Sequence, residues 1–140
     1  MKKLIILSLI FIGCHSEKEP STFDFETIFE KSQGLETATY DETITYFTNL
    51  SKAYPEISID SIGITDAGKP LHIVTLNPDK VFDFSKIRQN KRIILINNGI
   101  HPGEPDGIDA TMLLFRDIAE GKIKAPKHTV LVTKIGRAHV

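Results

Sequence analysis

The sequence has little cysteine and little net charge: of its 140 residues one is cysteine and none is tryptophan, and the formal net charge at pH 7 is −1. A single cysteine excludes an intramolecular disulfide and any zinc cluster built from cysteine thiolates. The near-zero charge argues against a broad basic face, so we expect no nucleic-acid partner. With 41% hydrophobic and 25% charged residues, the chain is typical of a globular protein rather than a collagen-like, coiled-coil or wholly disordered one.

Long hydrophobic runs are also scarce, and the prominent one stands at the start of the chain. Residues 4–12 are apolar except for one serine, and this run is shorter than the roughly 20 residues that a transmembrane helix needs. Lys2 and Lys3 precede it, and Gly13 and Cys14 follow it, which is the pattern of a signal peptide. The segment MKKLIILSLIFIGC resembles a bacterial lipoprotein signal, in which the cysteine is lipidated and becomes the new N-terminus.

This resemblance predicts where the protein resides. We expect residues 1–14 to be a lipoprotein signal, Cys14 to carry the lipid, and the polar residues 15–22 (HSEKEPST) to form a flexible tether. The implied location is the bacterial cell envelope, with the protein anchored to a membrane and facing the periplasm or the surface. The alternatives are an ordinary secretory signal or a buried strand in which Cys14 is a small apolar filler.

The first regular element predicted after the tether is a helix. Thr39 and Glu42 match a capping box, and apolar residues then recur at spacings of three and four until Pro55. These features predict a helix over residues 39–54, because proline ends such a pattern. Residues 23–35 fit either a short helix or a continuation of the tether.

Three strands are predicted next. Residues 57–64 and 71–76 have the composition of paired strands, and the turn residues between them indicate a hairpin. The alternation of the first strand slips near Ser61, as at a β-bulge. A short helical turn is expected around residues 84–88. Residues 92–97 (RIILIN) are continuously apolar, which predicts a central strand covered on both faces.

A second helix and a last strand complete the pattern. We expect a helix over residues 107–120, with Asp106 as its N-cap, Asp109 in its first turn and Gly121 just after its end. A strand at residues 129–134 follows. The alternation of strand, helix and strand predicts an α/β class, with a mixed, mostly parallel sheet, flanking helices and an antiparallel hairpin on one side.

The chemistry-bearing segment is the loop between the apolar strand and the second helix, residues 97–107 (NNGIHPGEPDG). It stands at the carboxyl end of a strand, where open α/β sheets bind ligands. His101 and Glu104 lie three residues apart, and imidazole and carboxylate are both good zinc ligands. Because glycine and prolines forbid a regular helix here, a tight turn must bring the two side chains together. The alternative is a surface turn with a solvated glutamate.

Residues 93–120, IILINNGIHPGEPDGIDATMLLFRDIAE, closely resemble the first zinc-binding segment of zinc carboxypeptidases of the carboxypeptidase A-like clan. The resemblance extends over about residues 39–134. It implies a phosphorylase/hydrolase-like carboxypeptidase fold and one bound Zn²⁺, with His101 and Glu104 as two of its ligands. Many animal members carry an arginine just before the glutamate, whereas this chain has Gly103, so no substrate-binding role transfers to that position.

The resemblance also implies a reaction, the hydrolytic release of C-terminal residues from peptides. In such enzymes zinc held by two histidines and a glutamate activates a water and polarises the scissile carbonyl, and a separate glutamate acts as general base. In the family the third ligand, the base and the carboxylate-binding residues come later in the chain. We therefore assign no catalytic residue here and expect the chain to be inactive alone. The alternatives are a zinc-dependent deacylase or amidase of the same fold, or a non-catalytic ligand-binding lipoprotein.

The end of the chain is expected to interrupt the domain. Residues 23–134 fit the first part of a zinc carboxypeptidase domain that is incomplete at its C-terminus. Residues 135–140 (IGRAHV) resemble a translated sequencing adaptor, so we expect them to be non-native. The histidines outside the loop are poor candidates for the third ligand because of their positions. His15 stands beside the signal and His72 within a predicted strand, while His128 precedes a strand and His139 lies in this tail.

The lipid anchor can be tested directly at the cysteine. We expect Cys14→Ser to abolish acylation and to move the protein from the membrane fraction to the soluble fraction, because the thiol is the acceptor of the first lipid. Fractionation and metabolic labelling with a radioactive fatty acid measure both effects. A variant that remains acylated and membrane-bound would overturn the lipoprotein assignment.

Overall fold

A computed structural model describes residues 23–65, 68–101 and 103–136. The predicted signal, its Cys14, the tether and residues 137–140 lie outside these ranges. Among the residues described, no helix is long and apolar enough to cross a membrane. The elements follow in the order α1 (Ile28–Lys31), α2 (Tyr40–Ala53), β1 (Ile57–Ile64), β2 (Pro70–Leu76), α3 (Phe84–Asn90), β3 (Arg92–Asn97), α4 (Asp106–Ala119) and β4 (Thr129–Ile135).

The four strands form one mixed sheet in the order β1-β2-β4-β3. β1 pairs with β2, and β2 with β4, in antiparallel fashion, whereas β3 and β4 are parallel. The register of the hairpin shifts between Ser61 and Gly63, which confirms the predicted irregularity. The predicted α/β class with a mixed sheet is therefore confirmed. In the part of the chain that the structure describes, however, two of the three strand pairings are antiparallel, so the sheet there is not mostly parallel, and its parallel pair is the one that α4 connects.

The position of β3 differs from the prediction. β3 lies at the edge of the described sheet rather than inside it, because β4 returns between β2 and β3. The side chains of Ile94 and Leu95 are 51% and 60% exposed, and only Ile96 packs against the main core. The expectation of a central strand covered on both faces is thus wrong for the described part of the chain, since neither face of β3 has a full cover there.

Helices cover both faces of the sheet. On one face α2 and α4 pack together, and the rings of Phe47 and Phe115 meet edge to face with centroids 5.8 Å apart. On the other face, Ile87 of α3 packs against Val130 and Val132 of β4. Alternate residues of β4 therefore face opposite cores. Ile135, one residue past the predicted strand end, is buried in the larger core, while the non-native origin of residues 135–140 stays a prediction.

The ends of α4 refine two sequence predictions. The helix begins at Asp106, and its N-cap is Pro105, which makes no side-chain capping hydrogen bond. Asp106 is thus the first helical residue and not the cap, because Pro105 already has helical backbone angles (φ −80°, ψ −20°). Gly121 follows the C-cap with φ +81°, which confirms its role as the residue that ends the helix in the left-handed region.

Residues 23–39, here called the N-terminal arm, pack along α4. Within the arm α1 is a short helix with a capping box between Thr27 and Glu30, which decides between the two alternatives for residues 23–35. Phe25 is buried in the larger core. Arg116 of α4 donates two hydrogen bonds to the Glu30 carboxylate, at 2.6 and 2.9 Å, and one to the Phe25 carbonyl. Through this pair the arm becomes part of the folded domain.

The Glu30–Arg116 pair makes the stability of the protein depend on pH. The hydrogen bonds from Arg116 lower the pKa of Glu30 from 4.5 to about 2. A lowered pKa in the folded state stabilises the protein above the unfolded pKa near 4.5, and this contribution is lost as the pH falls towards 2. We expect Glu30→Gln to lower the free energy of unfolding at pH 7 by about 1–2 kcal/mol.

Urea unfolding at a series of pH values measures this effect. The difference between wild type and Glu30→Gln should be largest above pH 5 and should shrink between about pH 4.5 and 2, as Glu30 is protonated. Glu26→Gln is the matched control, because Glu26 is exposed in the same segment. A difference that stays constant down to pH 2 would contradict an ionic role for Glu30.

Candidate metal centre

The metal loop, residues 98–105, leaves the carboxyl end of β3 and leads into α4. Gly99 and Gly103 have φ values of +59° and +81°, in the left-handed region that favours glycine. A Cβ atom at Gly99 would also lie 2.9 Å from the Ile108 side chain. Glycine at these positions therefore lets the chain turn back sharply enough to bring His101 and Glu104 together.

Asn98 fixes the start of the metal loop to its neighbours. Its side-chain amide donates to the hydroxyl oxygens of Thr111 in α4 and Thr133 in β4, at 3.0 and 3.1 Å. Gly107 lies against this side chain, since a Cβ atom there would stand 2.5 Å from the Asn98 Oδ1 atom. The sequence indicated Asn98 only as part of a polar loop. Its role depends on tertiary partners 13 and 35 residues away.

The two predicted zinc ligands do converge. Nδ1 of His101 lies 3.0 and 3.1 Å from the two carboxylate oxygens of Glu104. Both side chains are open to solvent, with 69% and 55% of their surfaces exposed. An imidazole nitrogen and a carboxylate are a donor set that suits Zn²⁺. These two residues therefore fit two positions of a metal site that faces outward from the loop.

In the described part of the chain, no third protein ligand lies beside them. Within residues 23–65, 68–101 and 103–136, no three His, Cys, Asp or Glu side chains are grouped so that they could hold a metal. His72 lies in β2 with its Nδ1 atom 3.1 Å from the Tyr40 hydroxyl, and burial lowers its pKa. His128 is exposed at the opposite end of β3, where its carbonyl accepts from the Arg92 amide. His15 and His139 lie outside the described residues.

The His101–Glu104 pair opens onto a cavity of about 500 Å³, a volume typical of small-molecule sites. The metal loop forms one side, and the end of β4 contributes Ile135 and Gly136. The cavity is also lined by residues that the sequence did not connect with the site, from the arm, the start of α2 and the hairpin: Thr37, Ala38, Thr39, Tyr40, Thr43, Thr65 and Lys69. These residues are distant in sequence from the loop, so no local pattern joins them to it.

Lys69, one of the residues that line the cavity, has an acidic and an aromatic neighbour. The Lys69 ammonium lies 3.7 Å from the Asp41 carboxylate and 5.7 Å from the centre of the Tyr40 ring. The Tyr40 hydroxyl donates to the Pro70 carbonyl at 2.6 Å, and burial raises the pKa of this hydroxyl. Tyr40 thus remains a neutral donor that ties α2 to the hairpin.

Comparison with known proteins agrees with this geometry. A family model described as zinc carboxypeptidase matches residues 43–135, a range that contains the metal loop. The crystal structure of the carboxypeptidase A from Helicoverpa armigera superposes with a TM-score of 0.59 at 14% sequence identity. The similarity covers 70% of this chain and 24% of that one, so this chain spans about a quarter of that structure's length. No curated protein matches the chain.

The chain belongs to the zinc carboxypeptidase family, because the family model covers well over half of it. The superposition shows that its sheet and flanking helices have the carboxypeptidase fold. Membership implies zinc as the metal. The assignment of His101 and Glu104 as its ligands stays a prediction.

The packing of Gly107 against Asn98 provides a test of the loop. Alanine in a helix is normally more favourable than glycine by about 1 kcal/mol, but here the added methyl group would displace the Asn98 side chain. We expect Gly107→Ala to lower the free energy of unfolding by about 1–2 kcal/mol. Urea denaturation measures this, with Asp106→Ala as the control at an exposed position of the same turn. A gain in stability for Gly107→Ala would contradict the close contact.

Proposed function

We propose that this chain supplies two zinc ligands, His101 and Glu104, to a carboxypeptidase that releases C-terminal residues from peptides. The observation that carries the proposal is the approach of His101 Nδ1 to the Glu104 carboxylate, at 3.0 Å. This approach occurs in a loop at the carboxyl end of β3 and within the segment that the zinc carboxypeptidase family model matches. The alternative is a surface turn in which Glu104 is solvated and pairs only with His101.

The residues of the chain have distinct tasks in this function. His101 and Glu104 would hold the metal, which when bound supplies a Lewis acid and an activated water. Gly99 and Gly103 allow the turn that brings the ligands together, and Asn98 ties the loop to α4 and β4. Because the loop is connected to two packed elements, the ligands are held on a rigid base while their outer side stays open to a peptide.

The remaining parts of the reaction must come from elsewhere. A zinc peptidase site needs a third protein ligand and a general base, and no group of three ligands occurs in the described residues. A further requirement is a cation for the terminal carboxylate, and Lys69, which lines the cavity, already lies 3.7 Å from the Asp41 carboxylate. We therefore expect the 140-residue chain to bind zinc weakly and to hydrolyse no peptide by itself.

The location of the enzyme is part of the proposal and rests on the sequence alone. Lipidation of Cys14 would anchor the protein in the bacterial envelope, and residues 15–22 would connect the anchor to the arm. Eight extended residues span at most about 28 Å. The arm packs against α4, so the tether would hold the domain close to the membrane surface and its substrates would be peptides of the envelope.

The metal assignment is tested by zinc binding. We expect the full chain to bind one Zn²⁺, and His101→Ala to weaken zinc binding by more than about tenfold. Removing a residue that only hydrogen-bonds a metal ligand already lowers metal affinity by about tenfold or more, and removing the ligand itself should lower it further. Glu104→Gln should weaken it as well. Isothermal titration and metal analysis give the affinity and the stoichiometry.

The matched control is His128→Ala, which removes an exposed histidine at the other end of β3 and should leave the zinc affinity unchanged. Equal zinc content in His101→Ala and wild type would refute the assignment. A loss in His128→Ala that matched the loss in His101→Ala would show non-specific binding to surface histidines.

A further inference from the structure

We propose that Arg88, Arg92, Lys124 and Lys127 form a docking surface, here called the basic face, for the anionic phosphate headgroups of a membrane. Docking through this face would turn the metal loop and its cavity away from the lipid. The choice of a lipid surface as the partner rests on the proposed envelope location, whereas the basic face itself is a feature of the described residues.

The net charge of −1 conceals an uneven distribution along the chain. Residues 23–65 contain eight aspartates and glutamates but two lysines. Residues 80–92 contain five lysines and arginines and one aspartate, and residues 121–128 contain three lysines and no acidic residue. Positive charge is therefore concentrated in two short segments, and it can attract an anionic surface strongly only if the fold brings the two segments together.

The fold joins the two basic segments at one end of the sheet. Arg92 begins β3 and is the parallel partner of Thr129, the first residue of β4. The Arg92 amide donates to the His128 carbonyl at 2.9 Å, which fixes the end of the loop 121–128 beside it. The helix α3, which carries Arg88 in its last turn, packs on β4 and leads into β3. The amino ends of β3 and β4 thus gather both segments.

The four cations of the basic face are exposed, and none of them makes a salt bridge within the described residues. Acidic side chains at this end of the sheet are engaged by other lysines. The Asp79 carboxylate lies 2.6 Å from the Lys91 ammonium, and the Glu120 carboxylate lies 2.6 Å from the Lys122 ammonium. Because the cations of the basic face are not neutralised by such pairs, their attraction for phosphate is retained.

Apolar side chains are interspersed with these cations. Ile123, between two lysines of the loop, is 42% exposed, and Ile93, next to Arg92, is 38% exposed. Isolated apolar side chains beside cations suit the boundary between lipid headgroups and acyl chains, where both kinds of group are accommodated. A nucleic acid would contact the cations through its phosphates but would gain little from the isoleucines. This composition therefore favours a lipid surface.

The N-terminal arm enters the domain at the same end of the sheet. The Phe25 ring lies 5.7 Å from the ring of Tyr54, which is the C-cap of α2, and the Phe25 carbonyl accepts from Arg116 in the last turn of α4. After α2 ends, β1 begins beside the end of β2, which pairs with Leu131 near the start of β4. Residues 15–22 would therefore leave the domain near the basic face, and an anchor before them would hold that face within about 28 Å of the membrane.

The metal loop lies at the opposite end of β3. A strand of six residues is about 20 Å long, so docking through the basic face would leave His101 and Glu104 open to peptides in the aqueous phase. A flexible tether alone would let the domain rotate freely. The anchor and the basic face together would fix the direction in which the cavity opens.

Vesicle binding of the full, unlipidated chain tests the docking surface. Sedimentation with vesicles of phosphatidylcholine alone, and with vesicles of equal parts phosphatidylcholine and phosphatidylglycerol, gives the two affinities. We expect the anionic vesicles to be bound at least about tenfold more tightly, and this preference to disappear in about 0.5 M sodium chloride because salt screens exposed charges. Equal affinity for the two kinds of vesicle would overturn the proposal.

Matched lysine variants separate the basic face from other positive charge, including Lys2 and Lys3. Lys127→Glu should weaken binding to anionic vesicles by at least about fivefold, since each cation near an anionic surface contributes about that factor. Lys69→Glu makes the same charge change at an exposed lysine that lines the cavity, and it should change the affinity by less than about twofold. Equal losses in the two variants would refute a defined face.

Nuclear magnetic resonance maps which end of the domain meets the lipid. With anionic bicelles that carry a gadolinium-labelled headgroup, the amide signals of residues 88–92 and 124–128 should broaden most strongly, and those of the metal loop least. Strongest broadening at the metal loop would overturn the docking orientation. Binding of a DNA duplex as tightly as anionic vesicles would overturn the choice of a lipid partner.

Zinc titration of the same samples distinguishes the docking surface from the proposed metal site. Lys127→Glu should bind zinc as wild type does, because the basic face and the metal loop lie at opposite ends of β3. Zinc binding without a preference for anionic vesicles would refute the docking surface and leave the metal site standing. A preference for anionic vesicles without zinc binding would support the docking surface and refute the metal site.

Discussion

The packing of α4 against α2 and the sheet is the interaction on which the other features of the structure depend. Phe115 of α4 is fully buried against Phe47. Two polar residues of the same helix make contacts outside this core. Arg116 binds the N-terminal arm, and Asp109, two turns earlier, binds Thr37. The apolar contact orients the helix, and the polar contacts then place the arm, which lines the cavity, relative to the metal loop.

The two sequence segments that line the site, the metal loop and the N-terminal arm, are held in place by different interactions. The metal loop begins at the end of β3 and is tied by Asn98 to two elements that the core already holds. The arm packs on the main core through Phe25, with Phe23 and Ala38 beside it, and is also attached by the ionic pair between Glu30 and Arg116. Because an ionic pair responds to pH and a buried ring does not, the Glu30–Arg116 contact is the part of the arm's attachment that weakens as the pH falls.

Much of the local structure followed from pattern. The capping box at Thr39, the slip in register near Ser61 and the helix end at Gly121 were all predicted, because each rests on residues a few positions apart. The prediction for β3 failed for the opposite reason. An apolar run of six residues suits a buried strand wherever it lies in a sheet, but its place beside β4 alone depends on how distant segments pair.

The sequence by itself determined the elements, the α/β class and the pair of candidate ligands, because helix caps, apolar periods and a His-x-x-Glu turn are short-range signals. Only the tertiary structure decided that His101 and Glu104 line a cavity together with residues of the N-terminal arm. The tie between Thr37 and Asp109 joins residues 72 positions apart. Such a contact exists only after α4 has packed on the sheet, so no hydrophobic periodicity or residue spacing in the sequence predicts it.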